Sequence, residues 1–204
     1  MARPAEHAGP RVHPKEAILD AAERLLVDVG HAGITARGLA AEAGVNLGLI
    51  HYYFGSMENV FLEALERFTD RLIARQRAMY AAEEPFIEKW RKAMRYLEED
   101  RVTGYQKVWL ELQAMAWNRP DLARRIVRVT ARWRRVLTEA FAKAMEQYGL
   151  DQHRFPVEAV VALVATFNQG IILERHAGIF EGHQQLLDLI DGWLLDLEAE
   201  AGRR

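Results

Sequence analysis

Cysteine is absent from the 204 residues, which excludes disulfides, thiolate metal sites and cysteine nucleophiles and is compatible with a reducing cytoplasm. Net charge is nearly absent as well. With 27 basic and 29 acidic residues the formal charge is −2, so the chain as a whole does not attract nucleic acid and any such binding rests on local placement. Long uncharged runs are missing: the stretch 158–174 is interrupted by Asn168, Gln169 and Gly170, and is shorter than the roughly 20 apolar residues expected of a spanning helix. Residues 1–14 carry charges, prolines and histidines around no apolar centre, unlike a secretory signal, and are expected to form an arm. A cytoplasmic protein without membrane association is expected. Catalytic signatures are lacking too. The seven histidines are scattered, and there is no H-E-x-x-H, G-x-S-x-G, G-x-x-x-x-G-K or dinucleotide glycine fingerprint. The expectation is a protein that is not an enzyme and carries no cofactor or metal. His176 and His183, flanking a glycine-bearing loop, are the only pair that suggests a metal, and exposed loop histidines are usually unliganded.

What is present is helical periodicity almost throughout, with no strand alternation of useful length. Ile18, Ala21, Ala22, Leu25, Leu26 and Val29 recur at helical spacing between Pro14, suited to a first turn, and Gly30, suited to a stop. A second short helix is expected after Thr35, a good N-cap, ending at Gly44; a third starts behind Asn46 and runs to about Tyr53. From Met57 the residues Val60, Phe61, Ala64, Leu65, Phe68 and Leu72 mark a long helix. Later breaks fall at Gly104, Asn118-Arg119-Pro120, Gly149, Pro156 and 178–182. The fold class expected is all-α, a three-helix N-terminal unit and a larger helical domain. The divisions are an arm at 1–14, the three-helix unit at 15–57 and the larger domain at 58–204.

The stretch 35–54 reads TARGLAAEAGVNLGLIHYYF. Two short helices held steeply by a tight turn need small residues at their contact and glycine at the reversal, here Ala40 and Gly44. Leu39, Ala43, Val45, Ile50 and Tyr53 are expected to meet in the small core. On Thr35, Arg37, Ala40, the Ala43-Gly44-Val45 turn, Gly48, Tyr52-Tyr53-Phe54, and Ser56 with Glu58, residues 15–65 resemble the TetR (tetracycline repressor-like) regulators. The resemblance implies an all-α homodimer whose helix-turn-helix binds an inverted-repeat operator in double-stranded DNA. It further implies a divergent C-terminal domain, usually of a repressor released by a small-molecule effector. By matching position, Thr35 and Arg37 are expected to meet phosphates, which fixes register rather than sequence. Leu47, Gly48, Leu49 and His51 are expected on the groove side, with Tyr52 and Tyr53 beside them; Phe54 is expected to pack.

Met57 stands where many relatives carry a lysine, and the recognition positions lack the Arg, Lys or Gln of bidentate base contacts, with Asn46 read as a cap. Readout is therefore expected from thymine methyls against Leu47 and Leu49, from His51, and from DNA shape. Residues 1–57 hold five basic and six acidic side chains, a formal −1. Arg3 and Arg11 either enter a minor groove or belong to an uninvolved tail.

For the larger domain, four of the five tryptophans, Trp90, Trp109, Trp117 and Trp133, fall where the resemblance implies pocket-forming helices. Tyr105, Trp109, Leu112, Gln113, Trp117, Phe167, Asn168 and Glu174 are the candidate lining, each alternatively a core residue. Asn168 stands out as an amide amid Val164, Phe167 and Ile171 that needs a partner. The stretch 157–172 is apolar around most of its circumference, and the last helix has a wide apolar stripe. Val160, Val161, Val164, Leu186, Leu189, Ile190, Trp193 and Leu194 are the candidate dimer contacts, the alternative being intrachain core. Residues 121–149 carry seven basic against three acidic side chains, which reads as a solvated face, the alternative being contact with an anionic effector or with DNA. The alternatives to effector-released regulation are a helical interaction module and a regulator with no small-molecule switch.

Overall fold

The computed structural model describes residues 13–203, so Arg3 and Arg11 lie outside the described residues. These contain no strand and nine α-helices: α1 (Pro14–Val29), α2 (Ala36–Ala43), α3 (Leu47–Phe54), α4 (Met57–Ala81), α5 (Phe86–Val102), α6 (Tyr105–Ala116), α7 (Pro120–Gln147), α8 (Val157–His176) and α9 (His183–Ala201). The all-α expectation holds. The chain divides into two compact units, one ending at Leu65 and one beginning at Glu66, within α4 and beyond the edge drawn at Met57.

In the first unit α1 packs on α2 and α3. Its Ile18, Ala21, Ala22 and Leu26 are buried with Leu39, Ala40, Ile50 and Phe54, while Val29, read as part of the same stripe, is 53% exposed. Ala43, Val45 and Tyr53, expected in this core, are only half-buried. The two short helices begin on the side chains that cap them: Thr35 Oγ1 accepts from the Gly38 amide at 3.0 Å, and Asn46 Oδ1 from the Gly48 amide at 2.9 Å. Between them Gly44 sits at φ 65°, ψ 32°, the left-handed conformation that ends α2, and the Val45 amide returns to the Ala40 carbonyl at 3.0 Å. Asn59 Nδ2 donates to the Phe54 carbonyl at 2.7 Å, fastening the end of α3 to the first turn of α4.

The second unit is built on α7, which packs against α6 and α8, while α5 packs against α6 and α9. One core cluster joins Phe86, Ile87 and Trp90 of α5 to Leu137, Phe141 and Ala144 of α7, Val161 of α8 and Leu194 of α9. The Phe86 and Phe141 rings meet edge to face at 5.0 Å. Arg91 grips both carboxylate oxygens of Asp191 at 2.7 Å, tying α5 to α9. The basic run of α7 is largely solvated as expected, but Arg125 pairs with Glu66 at 3.0 Å and Arg132 with Asp70, both on α4.

Three expectations change here. By length and composition α8 is long and apolar enough to cross a membrane, contrary to the reading of 158–174. Its Val161, however, belongs to the core shared with α5, α7 and α9, which accounts for part of that apolarity. Val161 and Leu194, listed among dimer contacts from the sequence, are intrachain core at 3% and 5% exposure. His183 is not an exposed loop histidine: it opens α9, buried, with Nε2 2.6 Å from Glu174. His176 instead bonds the Ile172 carbonyl of its own helix through Nδ1. No group of three or more potential metal-ligating side chains occurs among the described residues.

Two substitutions test the capping and turn. Thr35→Ala removes the α2 cap and should cost about 1 kcal/mol. Gly44→Ala should cost roughly 1–2 kcal/mol, through backbone conformation and not through a clash, because nothing lies within 4 Å of a Cβ built there. Urea unfolding followed by circular dichroism measures both; a neutral Gly44→Ala would mean the turn tolerates a right-handed alternative.

Candidate functional site

The outward side of the first unit is defined by what α3 does not bury. Its core side is Ile50 and Phe54; Leu47, Gly48, His51 and Tyr52 are exposed, Tyr52 at 78%, and Leu49 is half-buried. Of the two leucines expected to read bases, Leu47 is thus the more available. Tyr53 is held edge-on between the Tyr52 ring at 5.0 Å and the His13 ring at 5.6 Å, so packing claims much of its surface. His51 donates from Nδ1 to the Gly55 carbonyl at 3.1 Å. That fixes the ring, and a neutral imidazole so held presents Nε2 outward as an acceptor.

The charges of this unit are mostly committed. Among its described residues the basic side chains are Lys15, Arg24 and Arg37. Lys15 pairs with Glu63 at 2.8 Å and Arg24 with Glu42 at 2.9 Å. Arg37, exposed in the first turn of α2 beside the Thr35 cap, has no ion pair among the described residues. An uncommitted guanidinium next to a helix N-terminus is a phosphate-binding arrangement.

Inside the second unit lies a cavity of about 510 Å³, walled by α4, α5, α6, α7 and α8. This is ordinary for a small-molecule site, as is the wall, mainly aromatic and aliphatic with a few polar groups. Trp133 donates through Nε1 to Gln76 at 2.9 Å, Trp109 to Gln169 at 3.3 Å, and Gln169 in turn donates to Gln113 at 2.9 Å. Tyr105 and Thr69 place their hydroxyls 3.4 Å apart, and burial pushes the tyrosine up to about 12. Asp100 has both oxygens 2.7 Å from Arg75, yet burial still holds its carboxyl above the usual carboxylate range.

Of the eight candidate lining residues, Tyr105, Trp109, Gln113 and Asn168 are on this wall. Leu112 is fully buried in the core, and Trp117, at the end of α6, is 85% exposed. Phe167 packs against Trp90 with ring centres 6.2 Å apart, and Glu174 is engaged with His183. Sequence reasoning missed the α4 contribution, Thr69, Leu72, Gln76 and Tyr80, as well as Asp100 and Arg134. The spacing of the four α4 residues, one helical face, was a usable signal; Arg134 was hidden in a basic run.

A third feature is apolar surface left open. On α8 only Val161 and Ile171 are buried, and Leu163 and Leu173 are 71% and 58% exposed. On α9, Leu189 and Trp193 are 70% and 55% exposed, with Leu186 beside them. Val160 and Ile190 lie partly buried against the core, and Val164 is also on the cavity wall.

Residues 18–64 match the family described as bacterial regulatory proteins, tetR family, and residues 91–196 match the C-terminal region of BetI-type transcriptional repressors. The HTH-type transcriptional regulator BetI 1 of Chromohalobacter salexigens is 30% identical over 57% of this chain and 58% of its own length. The HTH-type transcriptional repressor AcnR of Corynebacterium glutamicum is 28% identical over 87% of this chain and 90% of its own. Among solved structures, FadR from Bacillus subtilis in complex with stearoyl-CoA shares the fold at TM-score 0.69 and 16% identity, covering 89% of this chain and 96% of its own. A Saccharomonospora viridis regulator in complex with choline does so at TM-score 0.67 and 21% identity, covering 89% and 93%. The C-terminal match alone spans more than half of the sequence and adjoins a helix-turn-helix whose caps, turn and outward face are those just described: the chain belongs to the TetR family of bacterial transcriptional regulators, proteins that bind DNA and are not enzymes.

Proposed function

We propose that this regulator is a cytoplasmic repressor that binds an inverted-repeat operator as a homodimer and is released when a small molecule fills the cavity of its second unit. The observation that carries the reading is α4. It is one continuous helix whose first turn holds the end of the recognition helix α3 through Asn59, and whose Thr69, Leu72, Gln76 and Tyr80 line the cavity. A ligand that binds one position of α4 better than another shifts the equilibrium between head arrangements by that difference in affinity. Two recognition helices spaced by about 34–36 Å, or a helical multiple, read an inverted repeat. The repressor sense is supported by the BetI-type match and by AcnR; the effector sense by the ligands seen in two fold relatives.

In this reading Arg37, the Thr35 cap and the hydroxyls of Tyr52 and Tyr53 meet phosphates, while Leu47, Gly48, Leu49 and His51 face bases. The outward Nε2 of His51 suits the exocyclic amino group of cytosine or adenine. Homodimerisation is supported by the open apolar surface of α8 and α9, which water would otherwise cover at a cost of roughly 25 cal/mol per Å². The contacts proposed are Val160, Leu186, Leu189, Ile190 and Trp193, with Leu163 and Leu173 added. Gly170 is exposed on α8 at the edge of the cavity, with nothing within 4 Å of a built Cβ, so no intrachain packing calls for glycine there. Close approach of a second α8 does call for it.

The central test is a mobility shift with the upstream DNA of its own gene. Sequence-dependent binding at low salt supports the reading; none, with the fold intact, would favour an interaction module. Arg37→Ala should weaken binding to all sequences and flatten the salt dependence by about 2 in slope per dimer, whereas Leu47→Ala should mainly change which sequence is preferred. Identical behaviour of the two would contradict the assigned division between register and readout. Gly170→Leu should leave helicity unchanged, give a monomer in analytical ultracentrifugation, and reduce operator affinity by roughly 100-fold or more. A Gly170→Leu dimer of normal affinity would remove this face from the interface.

A further inference from the structure

Resting on the reading of the cavity as an effector site, we infer that the effector is a monocarboxylate with an aromatic or branched apolar body. The argument begins with polar groups that the protein leaves unmet. Five buried side-chain atoms among the described residues have no hydrogen-bond partner: Arg75 Nε, Arg134 Nε, Asn168 Oδ1, Arg175 Nε and His183 Nδ1. Only Arg134 and Asn168 belong to residues on the cavity wall. The three arginines also differ in kind. Arg75 has Asp100 and Glu99, and Arg175 has Glu98, whereas Arg134 has no ion pair among the described residues.

Arg134 is half-buried with its Nε enclosed, and a guanidinium whose lost hydration is not fully replaced gains from a counter-charge. Much of the polar wall is paired within the protein: the N–H groups of Trp133 and Trp109 are taken by Gln76 and Gln169, Gln106 donates to the Leu97 carbonyl, and Thr130 to the Ile126 carbonyl. The wall carries two charged residues, Asp100 and Arg134, and Asp100 is already neutralised by the two-point grip of Arg75. The net demand of the enclosure is therefore one negative charge, and a carboxylate fits the planar fork of arginine with two parallel hydrogen bonds.

The aromatic wall by itself also suits a quaternary ammonium, such as the choline bound by the Saccharomonospora viridis relative. Here charge decides between the two. A cation would enter beside an uncompensated Arg134, and the one carboxylate on the wall, Asp100, is already engaged by Arg75.

The full-length protein can be titrated with 3-(4-hydroxyphenyl)propionate, its primary amide, 3-phenylpropionate and choline, following tryptophan fluorescence and thermal shift. The acid should bind wild type roughly tenfold or more tightly than the amide. Arg134→Met should abolish that preference, Arg134→Lys should restore part of it, and 3-phenylpropionate should show the same dependence on Arg134. Equal binding of acid and amide, an acid indifferent to Arg134→Met, or choline bound while the acid is not, overturns the proposal. Nile red, a neutral apolar probe, separates this from failure of the site itself. If Nile red binds wild type and is excluded by the cavity-filling Ala93→Trp, the cavity stands and only the carboxylate assignment falls; if neither it nor any titrant binds, both fall.

Discussion

An eight-residue helix does not hold itself together in water, since nucleation fixes several residues for the first hydrogen bond and an isolated helix needs about 12–15 residues even to be marginal. Both α2 and α3 are eight residues long. They persist because Leu39, Ile50 and Phe54 bury against Ile18, Ala22 and Leu26 of the longer α1, and because Thr35 and Asn46 meet amides that would otherwise lack partners. Everything that α3 turns outward depends on this burial. The side proposed to face DNA is what remains once packing has taken Ile50 and Phe54, and the Gly44 turn sets the angle at which it is offered.

The second unit answers to an opposite constraint. A close-packed interior has few voids larger than a water molecule, so a partly open cavity of some 510 Å³ is a loss of packing that the surrounding helices must sustain. They do so with length and with polar bonds between them. The 28-residue α7 is the spine, α5 is clamped to α9 through Arg91 and Asp191, and the wall amides are tied to one another and to tryptophan N–H groups. The wall is thereby stiff and largely satisfied before anything enters, and the few atoms left unmet acquire meaning.

How much of this could be read from the sequence followed the range of the interactions involved. The helix-turn-helix was legible almost residue by residue, because capping, the left-handed turn and apolar spacing are decided within a few positions. The later helices were legible from the breaks at Gly104, Pro120, Gly149, Pro156 and 178–182. The cavity was half legible. Tyr105, Trp109, Gln113 and Asn168 stood out as aromatic and amide side chains in apolar company, but a tryptophan has the same appearance in a wall, a core or an open end, and Trp117 proved to be the last. Arg134 was indistinguishable from Arg128 or Arg135 in a basic run, since only the packing of α7 determines which of them turns inward. Val161 and Leu194 failed as dimer contacts for the same reason: α8 has apolar residues on both sides, and nothing local says which side meets α7.

The scarcity of free positive charge in the first unit carries the last step. Lys15 and Arg24 are spent on Glu63 and Glu42, leaving Arg37 as the one basic side chain without an ion pair among its described residues. Non-specific affinity for DNA comes almost entirely from phosphates neutralised by such charges. In the proposed reading, a binding unit so poor in them gains little from the wrong sequence, so a larger share of operator affinity has to come from contacts made by α3 and from the pairing of two subunits. Affinity that depends on pairing is also affinity that a modest change in head spacing can remove, and a small molecule acting through α4 needs only that much leverage.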